Sequence, residues 1–120
     1  MDQPIPSVTA EDVERIVRRD FPPDAFDKVM AMLNEYGTLA WQREPVRVRL
    51  AALKLAKGKI SELRRYVELA KVDCRDVLAP AEYPNYLLKG PGVERLPEVR
   101  RNQAVEDDWN QYTAWLTCGF

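Results

Sequence analysis

Residues 44–58 read Glu-Pro-Val-Arg-Val-Arg-Leu-Ala-Ala-Leu-Lys-Leu-Ala-Lys-Gly, and this stretch decides the fold. Pro45 suits the first position of a helix, and Gly58 suits the left-handed position that ends one. When each residue is turned about 100° from the one before it, apolar side chains cover more than half of the helix surface. Such a helix must be covered on more than one side, so we predict that residues 45–57 form the central helix of the fold.

The neighbouring segments predict helices that pack around this centre. Residues 60–72 show a one-sided amphipathic pattern, and the short connection at Gly58 favours an antiparallel pair of helices. Upstream, Thr9 and Asp12 are typical of a capping box for a first helix. Apolar residues also recur at helical spacing over 23–36. No segment of any length alternates as a strand does.

The C-terminal part of the chain predicts a short helix, a loop and a long helix. Asp73 is expected to cap the short helix, and Pro80 disfavours its continuation. Residues 81–96 are interrupted by proline and glycine but carry aromatic side chains, so we predict an aromatic-containing loop there. A C-terminal helix is predicted over 97–118 and is expected to pack across the central helix. With an extended lead-in over 1–8, the whole chain is predicted to be a single all-α domain of five or six helices.

Length and composition fit one ordinary globular domain. The chain has 120 residues, of which 46% are hydrophobic and 31% charged, and a chain of this size buries enough surface to fold without metal or disulfide crosslinks. It contains no apolar run near the roughly 20 residues of a membrane span. Its start, Met-Asp-Gln-Pro-Ile-Pro, lacks the basic and apolar parts of a signal peptide. We therefore predict a cytoplasmic protein that does not bind a membrane.

The sequence offers no catalytic constellation. It has no histidine, which excludes Ser-His-Asp and Cys-His catalysis and every imidazole metal site, and leaves open only a carboxylate metal site. Cys74 and Cys118 are too far apart for a metal or redox motif, and in a reducing compartment two free thiols are favoured over the alternative, a disulfide between them. The carboxylates of residues 106–108 point in different directions around a helix and make no acid–base pair. We therefore predict a protein that is not an enzyme and holds no cofactor and no metal ion.

Charge is distributed unevenly, although the net charge is only −1. Residues 45–72 carry 8 basic and 2 acidic side chains, a net charge of +6, whereas residues 1–44 and 73–120 carry −4 and −3. Within the central helix, Arg47 and Lys54 share a narrow polar stripe with Lys57 at its edge. A basic middle between acidic flanks either neutralises itself in the fold or presents a basic face to a partner. The basic group is Arg47, Lys54, Lys57, Lys59, Arg64, Arg65 and Lys71.

Four motifs carry a resemblance to known proteins. They are Glu-Tyr-Gly at 35–37, Arg-Val-Arg-Leu-Ala-Ala-Leu-Lys-Leu-Ala-Lys-Gly at 47–58, Asp-Val-Leu-Ala-Pro-Ala-Glu-Tyr-Pro at 76–84 and Trp-Asn-Gln-Tyr-Thr-Ala-Trp-Leu at 109–116. On these motifs the chain resembles a group of small uncharacterised bacterial all-helical proteins with no assigned function. The resemblance implies a bacterial source and an all-helical domain, and it brings no activity, cofactor or catalytic residue.

Arg49 is the unusual residue of the central helix, because it projects among apolar neighbours. Two interpretations are open. Its side chain either runs along the surface to reach water or forms a buried ion pair, for which Glu82 and Asp108 are the candidate partners. A buried charge without a partner costs several kcal/mol, so the second interpretation requires one.

Aromatic side chains supply the other candidate contacts. Tyr83 and Tyr86 lie in the predicted loop, and Trp41 lies in a connector before the central helix. They either anchor these segments or form an interaction surface, where tyrosine and tryptophan are favoured. On the last helix, Trp109 is expected in the core, whereas Trp115 lies off the main apolar stripe and is a candidate for a partner surface.

These observations favour a non-catalytic protein-interaction module, an adaptor or a neutralising partner of another protein, in a bacterial cytoplasm. One alternative is nucleic-acid binding by the basic helical hairpin of residues 47–71, through Arg64, Arg65 and Lys71, although the pI of about 5.5 is low for such a protein. Another is a homo-oligomeric structural protein that associates through its C-terminal helix. The expected partner is therefore another protein or a second copy of the chain, with nucleic acid less favoured.

Overall fold

Six α-helices and one short 3₁₀ turn make up the part of the chain that the computed structural model describes, which is residues 8–38, 44–82, 84 and 98–117. No strand occurs in these residues, and the prediction of a single all-α domain is confirmed. Almost all of the predicted lead-in and most of the predicted loop lie outside them. The helices are α1 (Ala10–Asp20), α2 (Phe26–Leu33), α3 (Pro45–Ala56), α4 (Ile60–Val72), α5 (Arg75–Glu82) and α6 (Glu98–Thr117), and the 3₁₀ turn is Pro23–Ala25.

The helix α3 is the centre of the fold, as predicted. It packs against α1, α4 and α5, so its broad apolar surface is covered on several sides. The covering is possible because apolar residues occupy most of its circumference, and three of its six buried residues are alanines, which let neighbouring helices approach. The buried residues of α3 are Val48, Leu50, Ala51, Ala52, Leu53 and Ala56.

The end of α3 depends on Gly58. Both Lys57 and Gly58 have left-handed backbone conformations, with φ angles of 53° and 78°. Glycine adopts this conformation without a steric penalty, as the sequence predicted. In addition, a Cβ atom at position 58 would lie 3.0 Å from the carbonyl oxygen of Asp20, at the end of α1. The turn therefore brings the C-terminal ends of α1 and α3 close together.

The first two helices match the prediction in type but not in full extent. Thr9 and Asp12 form the predicted capping box, in which the Thr9 amide donates to Asp12 Oδ2 at 2.9 Å and the Asp12 amide donates to Thr9 Oγ1 at 3.4 Å. The helix predicted over 23–36 begins with the 3₁₀ turn, and α2 ends at Leu33. The chain then turns through Gly37, which has a φ of 103°.

The helix α5 continues past Pro80, where the sequence favoured an end, and reaches Glu82. Ala81 and Glu82 therefore belong to a helix and not to the predicted loop over 81–96. A proline inside a helix removes one backbone hydrogen bond and destabilises it. The last turn nevertheless holds, because Ala81 and Glu82 are buried and Glu82 accepts two hydrogen bonds from Arg47 on α3.

The helix α6 does not lie across α3, as was expected. Among the described residues it packs mainly against α5, and two arginines of α1 bind its last turn. Arg15 Nη1 donates to the carbonyl oxygen of Leu116 at 2.7 Å, and Arg19 Nη1 donates to that of Trp115 at 2.5 Å. Cations are favoured at this end of a helix, where carbonyl groups lack partners within the helix. This placement leaves an open space between α6 and the C-terminal ends of α1 and α3.

Candidate functional site

An open groove fills the space between α6 and the C-terminal ends of α1 and α3. Its volume is about 760 Å³. A concave surface that combines apolar side chains with a few polar groups is the usual form of a binding site. We refer to it as the groove, and its lining residues are Arg19, Asp20, Lys54, Lys57, Gly58, Gln111, Ala114 and Trp115.

The groove is electropositive. Arg19, Lys54 and Lys57 supply positive charges, and Asp20 is the acidic residue of the lining. The Asp20 carboxylate is already engaged, because Arg19 Nε donates to its Oδ1 at 2.9 Å. The two lysines therefore determine the charge that an incoming group meets.

Lys54 is the most unusual cation of the groove. Its side chain is half-buried, and it forms no hydrogen bond or ion pair with any residue in the described part of the chain. Burial lowers the pKa of Lys54 below its ordinary value of 10.5, and the charge of Lys57 lowers it further, whereas Asp108 acts in the opposite direction. A half-buried cation is screened less by solvent than an exposed one, so it attracts an anion more strongly.

Trp115 forms one wall of the groove and is held from two sides. Its ring centroid lies 5.5 Å from that of Tyr112, and the guanidinium carbon of Arg19 lies over the ring at 5.3 Å from its centroid. The sequence predicted Trp115 as a candidate partner contact. The structure places it half-buried against the core, where it still lines the groove. A fixed aromatic side chain gives a large contact area at a low cost in conformational entropy.

The burial of Trp109 was predicted wrongly. Its side chain is 38% exposed, because α6 packs on α5 and not on α3, which rotates the buried side of the helix. The buried side is formed by Ala104, Val105, Asp108 and Tyr112.

Arg49 is half-buried and forms no ion pair in the described residues, so the interpretation as a buried ion pair is wrong. Its Nε donates to the carbonyl oxygen of Leu33 at 3.0 Å, and its Nη2 donates to that of Tyr36 at 2.6 Å. The Leu33 carbonyl belongs to the last residue of α2 and also accepts from the Tyr36 amide at 3.2 Å, and the Tyr36 carbonyl belongs to the turn that follows the helix. Burial lowers the pKa of Arg49, but a guanidinium group stays protonated in proteins. Arg49 therefore caps α2 from α3 and is a structural residue.

The carboxylate that was considered for Arg49 pairs with Arg47. Arg47 Nε donates to Glu82 Oε2 at 2.7 Å, and its Nη2 donates to Oε1 at 2.5 Å. The two side chains are 17% and 5% exposed, so this bidentate pair is largely shielded from water. Asp108, the other carboxylate considered, is buried on α6 and makes no ion pair with Arg49. The Arg47–Glu82 pair fixes α5 against α3.

Three basic residues of the predicted nucleic-acid surface, Arg64, Arg65 and Lys71, lie on α4 and do not line the groove, whereas Lys54 and Lys57 of the same basic group do line it. Arg64 Nη1 and Lys71 Nζ both lie 2.8 Å from carboxylate oxygens of Glu35, and Arg65 Nη2 lies 2.7 Å from Glu62. Hydrogen bonds from Lys71 and then Arg64 hold the pKa of Glu35 below its usual value. These three cations are thus matched by carboxylates within the domain.

Several other predicted features lie away from the groove or outside the described residues. Trp41, Tyr83, Tyr86 and Cys118 belong to segments that the structure does not describe, and Cys74 is a free, half-buried thiol. In the described segments, no cluster of three or more acidic or cysteine side chains is arranged to hold a metal ion. Within the same segments, no helix has the length and apolar character needed to cross a membrane.

Sequence reasoning named three lining residues of the groove without identifying the groove. Lys54 and Lys57 were part of the basic group, and Trp115 was a candidate contact. The available signal was the polar stripe of α3, because Lys54 follows Arg47 by seven residues and so lies on the same side of the helix. The missing information was the position of α6, which was expected to cover α3.

Comparison with protein-family models, with curated proteins and with solved structures gave no match. The resemblance to small bacterial proteins therefore stays a prediction. The inference of function rests on the groove and on the charges around it.

Proposed function

We propose that the protein is a non-catalytic protein-interaction module, an adaptor or a neutralising partner, that binds another protein through the groove. The proposal rests on one observation: some basic side chains of the domain have ion-pair partners, and one half-buried lysine has none in the described residues. Arg47, Arg64 and Lys71 pair with carboxylates inside the domain, whereas the half-buried Lys54 has no ion-pair partner in the described residues. A partly buried charge is costly without a counter-ion, so a partner that supplies one is favoured.

The shape of the groove favours a polypeptide segment over a small molecule. Small-molecule sites usually enclose most of the surface of their ligand, whereas this groove is open along its length. Ala114 is exposed and has a small side chain, which leaves room for a side chain of the partner. Trp115 stands beside that room, held by Arg19, and tryptophan is among the residues that contribute most to protein interfaces.

The lining residues favour binding over catalysis. Nucleophilic catalysis needs a reactive group with a base within hydrogen-bond reach, and no hydroxyl or thiol side chain occurs among the lining residues that the structure describes. The Asp20 carboxylate is bound by Arg19. The Gln111 amide donates to the carbonyl oxygens of Ala81 and Asp108, at 3.2 and 2.9 Å.

The proposed setting is a bacterial cytoplasm, which the sequence and the resemblance favour. The nucleic-acid alternative is less favoured, because Arg64, Arg65 and Lys71 pair with carboxylates, and a cation paired with a carboxylate displaces fewer counterions when it meets a phosphate. Self-association through α6 is an alternative that the experiment below also reports, since a second copy of the chain would be recovered as the partner.

The test is capture of a partner by variants that fill the groove. Ala114→Arg places a long side chain in the groove, while Thr113→Arg places the same side chain at the neighbouring exposed position of α6 outside the lining. Tagged wild type, Ala114→Arg and Thr113→Arg are used to capture partners from the source cells, with and without nuclease, and mass spectrometry identifies what is retained.

The proposal predicts a protein partner that survives nuclease, is lost with Ala114→Arg and is kept with Thr113→Arg. It is wrong if the two arginine variants retain the same partners, or if recovery depends on nucleic acid. Circular dichroism of both variants checks that each keeps the helical fold.

A further inference from the structure

We propose that the groove binds an acidic peptide segment of its partner, with a side-chain carboxylate on the Lys54 ammonium and an apolar neighbour against Trp115. Lys54 is then the residue that determines specificity. The inference rests on the proposed function and adds the chemistry of the segment that is bound.

The balance of charge in the groove favours an acidic segment. Of the charged lining residues, three are basic and one is acidic, and the acidic one, Asp20, is bound by Arg19. A segment that carries carboxylates is therefore attracted, and a basic segment is repelled. Charge complementarity of this kind also speeds and orients association.

Lys54 and Lys57 contribute differently to this recognition. Lys57 is exposed, and an ion pair at an exposed position is weak because water and salt screen it. Lys54 is half-buried and has no ion-pair partner in the described residues, and burial lowers its pKa. The charge of the Asp108 carboxylate acts on Lys54, but Lys54 forms no ion pair in the described residues. A carboxylate from a partner thus supplies an interaction that the domain itself leaves unmade.

The groove is less suited to phosphate than to carboxylate. Phosphate sites commonly use the N-terminal ends of helices, where amide groups and the positive end of the helix dipole face the anion. Here α1 and α3 present their C-terminal ends, at Asp20 and Gly58, and these ends carry the negative side of the dipole. A singly charged carboxylate held by one lysine is therefore favoured over a doubly charged phosphate.

The experiment is selection from a displayed library of short random peptides on the purified full chain, followed by affinity measurement. The inference predicts that Asp and Glu are enriched in the selected peptides and lie next to apolar residues. Replacing the enriched acid by its amide is expected to weaken binding about tenfold or more, because a hydrogen bond between charged groups is lost.

Variants of the protein then locate the contact. Lys54→Met is expected to weaken binding about tenfold, and the exposed Lys57→Met about twofold to threefold. Lys28→Met, a lysine on the exposed side of α2, is the matched control and should leave binding unchanged. Lys54→Glu should reject the acidic peptides.

Each outcome separates the inference from the proposed function. Selected peptides that are neutral or basic, or that bind Lys54→Met as well as wild type, overturn the inference while the groove remains a protein-binding site. The inference is also overturned if inorganic phosphate, added at the same concentration as a selected peptide, displaces that peptide from the protein. If no peptide is selected, the inference fails, and the capture experiment with Ala114→Arg decides whether the proposed function fails with it.

Discussion

The basic side chains at the two ends of α3 differ in whether they are bound within the domain. Near the start of the helix, Arg47 pairs with Glu82, and Arg49 donates to carbonyl groups at the end of α2. Near its end, Lys54 and Lys57 face the groove, and neither forms an ion pair in the described residues. One helix thus uses its first basic residues to hold the domain together and its last ones to present charge. The difference teaches that the cations available to the groove are those that the fold leaves without an ion pair in the described residues.

The largest expected effect comes from breaking the matched end at Arg47. Arg47→Met leaves the buried Glu82 carboxylate without its bidentate partner, and we expect the free energy of unfolding to fall by about 3 kcal/mol. Urea denaturation measures the loss. The double variant Arg47→Met/Glu82→Leu should recover much of it, because no unpaired charge then remains buried. A loss below about 1 kcal/mol in the single variant would be typical of an exposed ion pair. Arg47 would then contribute no more to stability than an exposed cation, and the contrast with the lysines at the end of α3 would be wrong.

A smaller effect is expected at Arg49. Arg49→Met removes two charged hydrogen bonds, to the carbonyl oxygens of Leu33 and Tyr36, and the expected loss is about 2 kcal/mol by urea denaturation. Arg49→Lys keeps the charge but cannot reach both carbonyl groups in the same planar geometry, so it should recover only part of the loss. If Arg49→Met were as stable as wild type, the cap on α2 would have no energetic role.

The smallest change in stability, and the one of opposite sign, is expected at Lys54. Lys54→Met removes a half-buried charge whose folded-state pKa is depressed, so it should raise the free energy of unfolding at neutral pH by about 0.5 kcal/mol. A lysine with a depressed folded-state pKa weakens the folded state while it is charged. The stability of wild type should therefore rise as the pH passes upward from that depressed pKa toward the ordinary value of 10.5.

The measurement is the difference in Tm between Lys54→Met and wild type as a function of pH. It should be largest at neutral pH and shrink as the pH rises toward 10.5. Lys28→Met serves as the control for loss of an exposed lysine. A lower Tm for Lys54→Met at neutral pH would show that Lys54 stabilises the domain and belongs with the matched cations.

The fold was largely predictable because its decisive information is local. The central helix, the Thr9 capping box and the left-handed end at Gly58 all follow from spacing and from conformational preference. The extent of α5 was not predictable from such rules, since the burial of Ala81 and Glu82 outweighs the preference of Pro80.

The site was predictable only in part, because it depends on which side of α3 another helix leaves open. Periodicity located Lys54 on a polar stripe, but it could not show that α6 packs against α5 and leaves that stripe facing a groove. The role of Arg49 was missed for a similar reason. Its partners are backbone carbonyl groups of another helix, and no side-chain pattern in a sequence identifies these.

The contact between α1 and α6 has a consequence for the order of folding. The hydrogen bond from Arg15 to Leu116 joins residues 101 positions apart, whereas α3, α4 and α5 follow one another through short turns. Contacts between distant parts of a chain form late, because closing a long loop loses more entropy than closing a short one. The wall of the groove on α6 should thus assemble after the central helices, and hydrogen exchange should find the amides of α6 less protected than those of α3. The groove is then the last part of the molecule to form and the first to open. The central helices can therefore stay folded in molecules whose groove has opened.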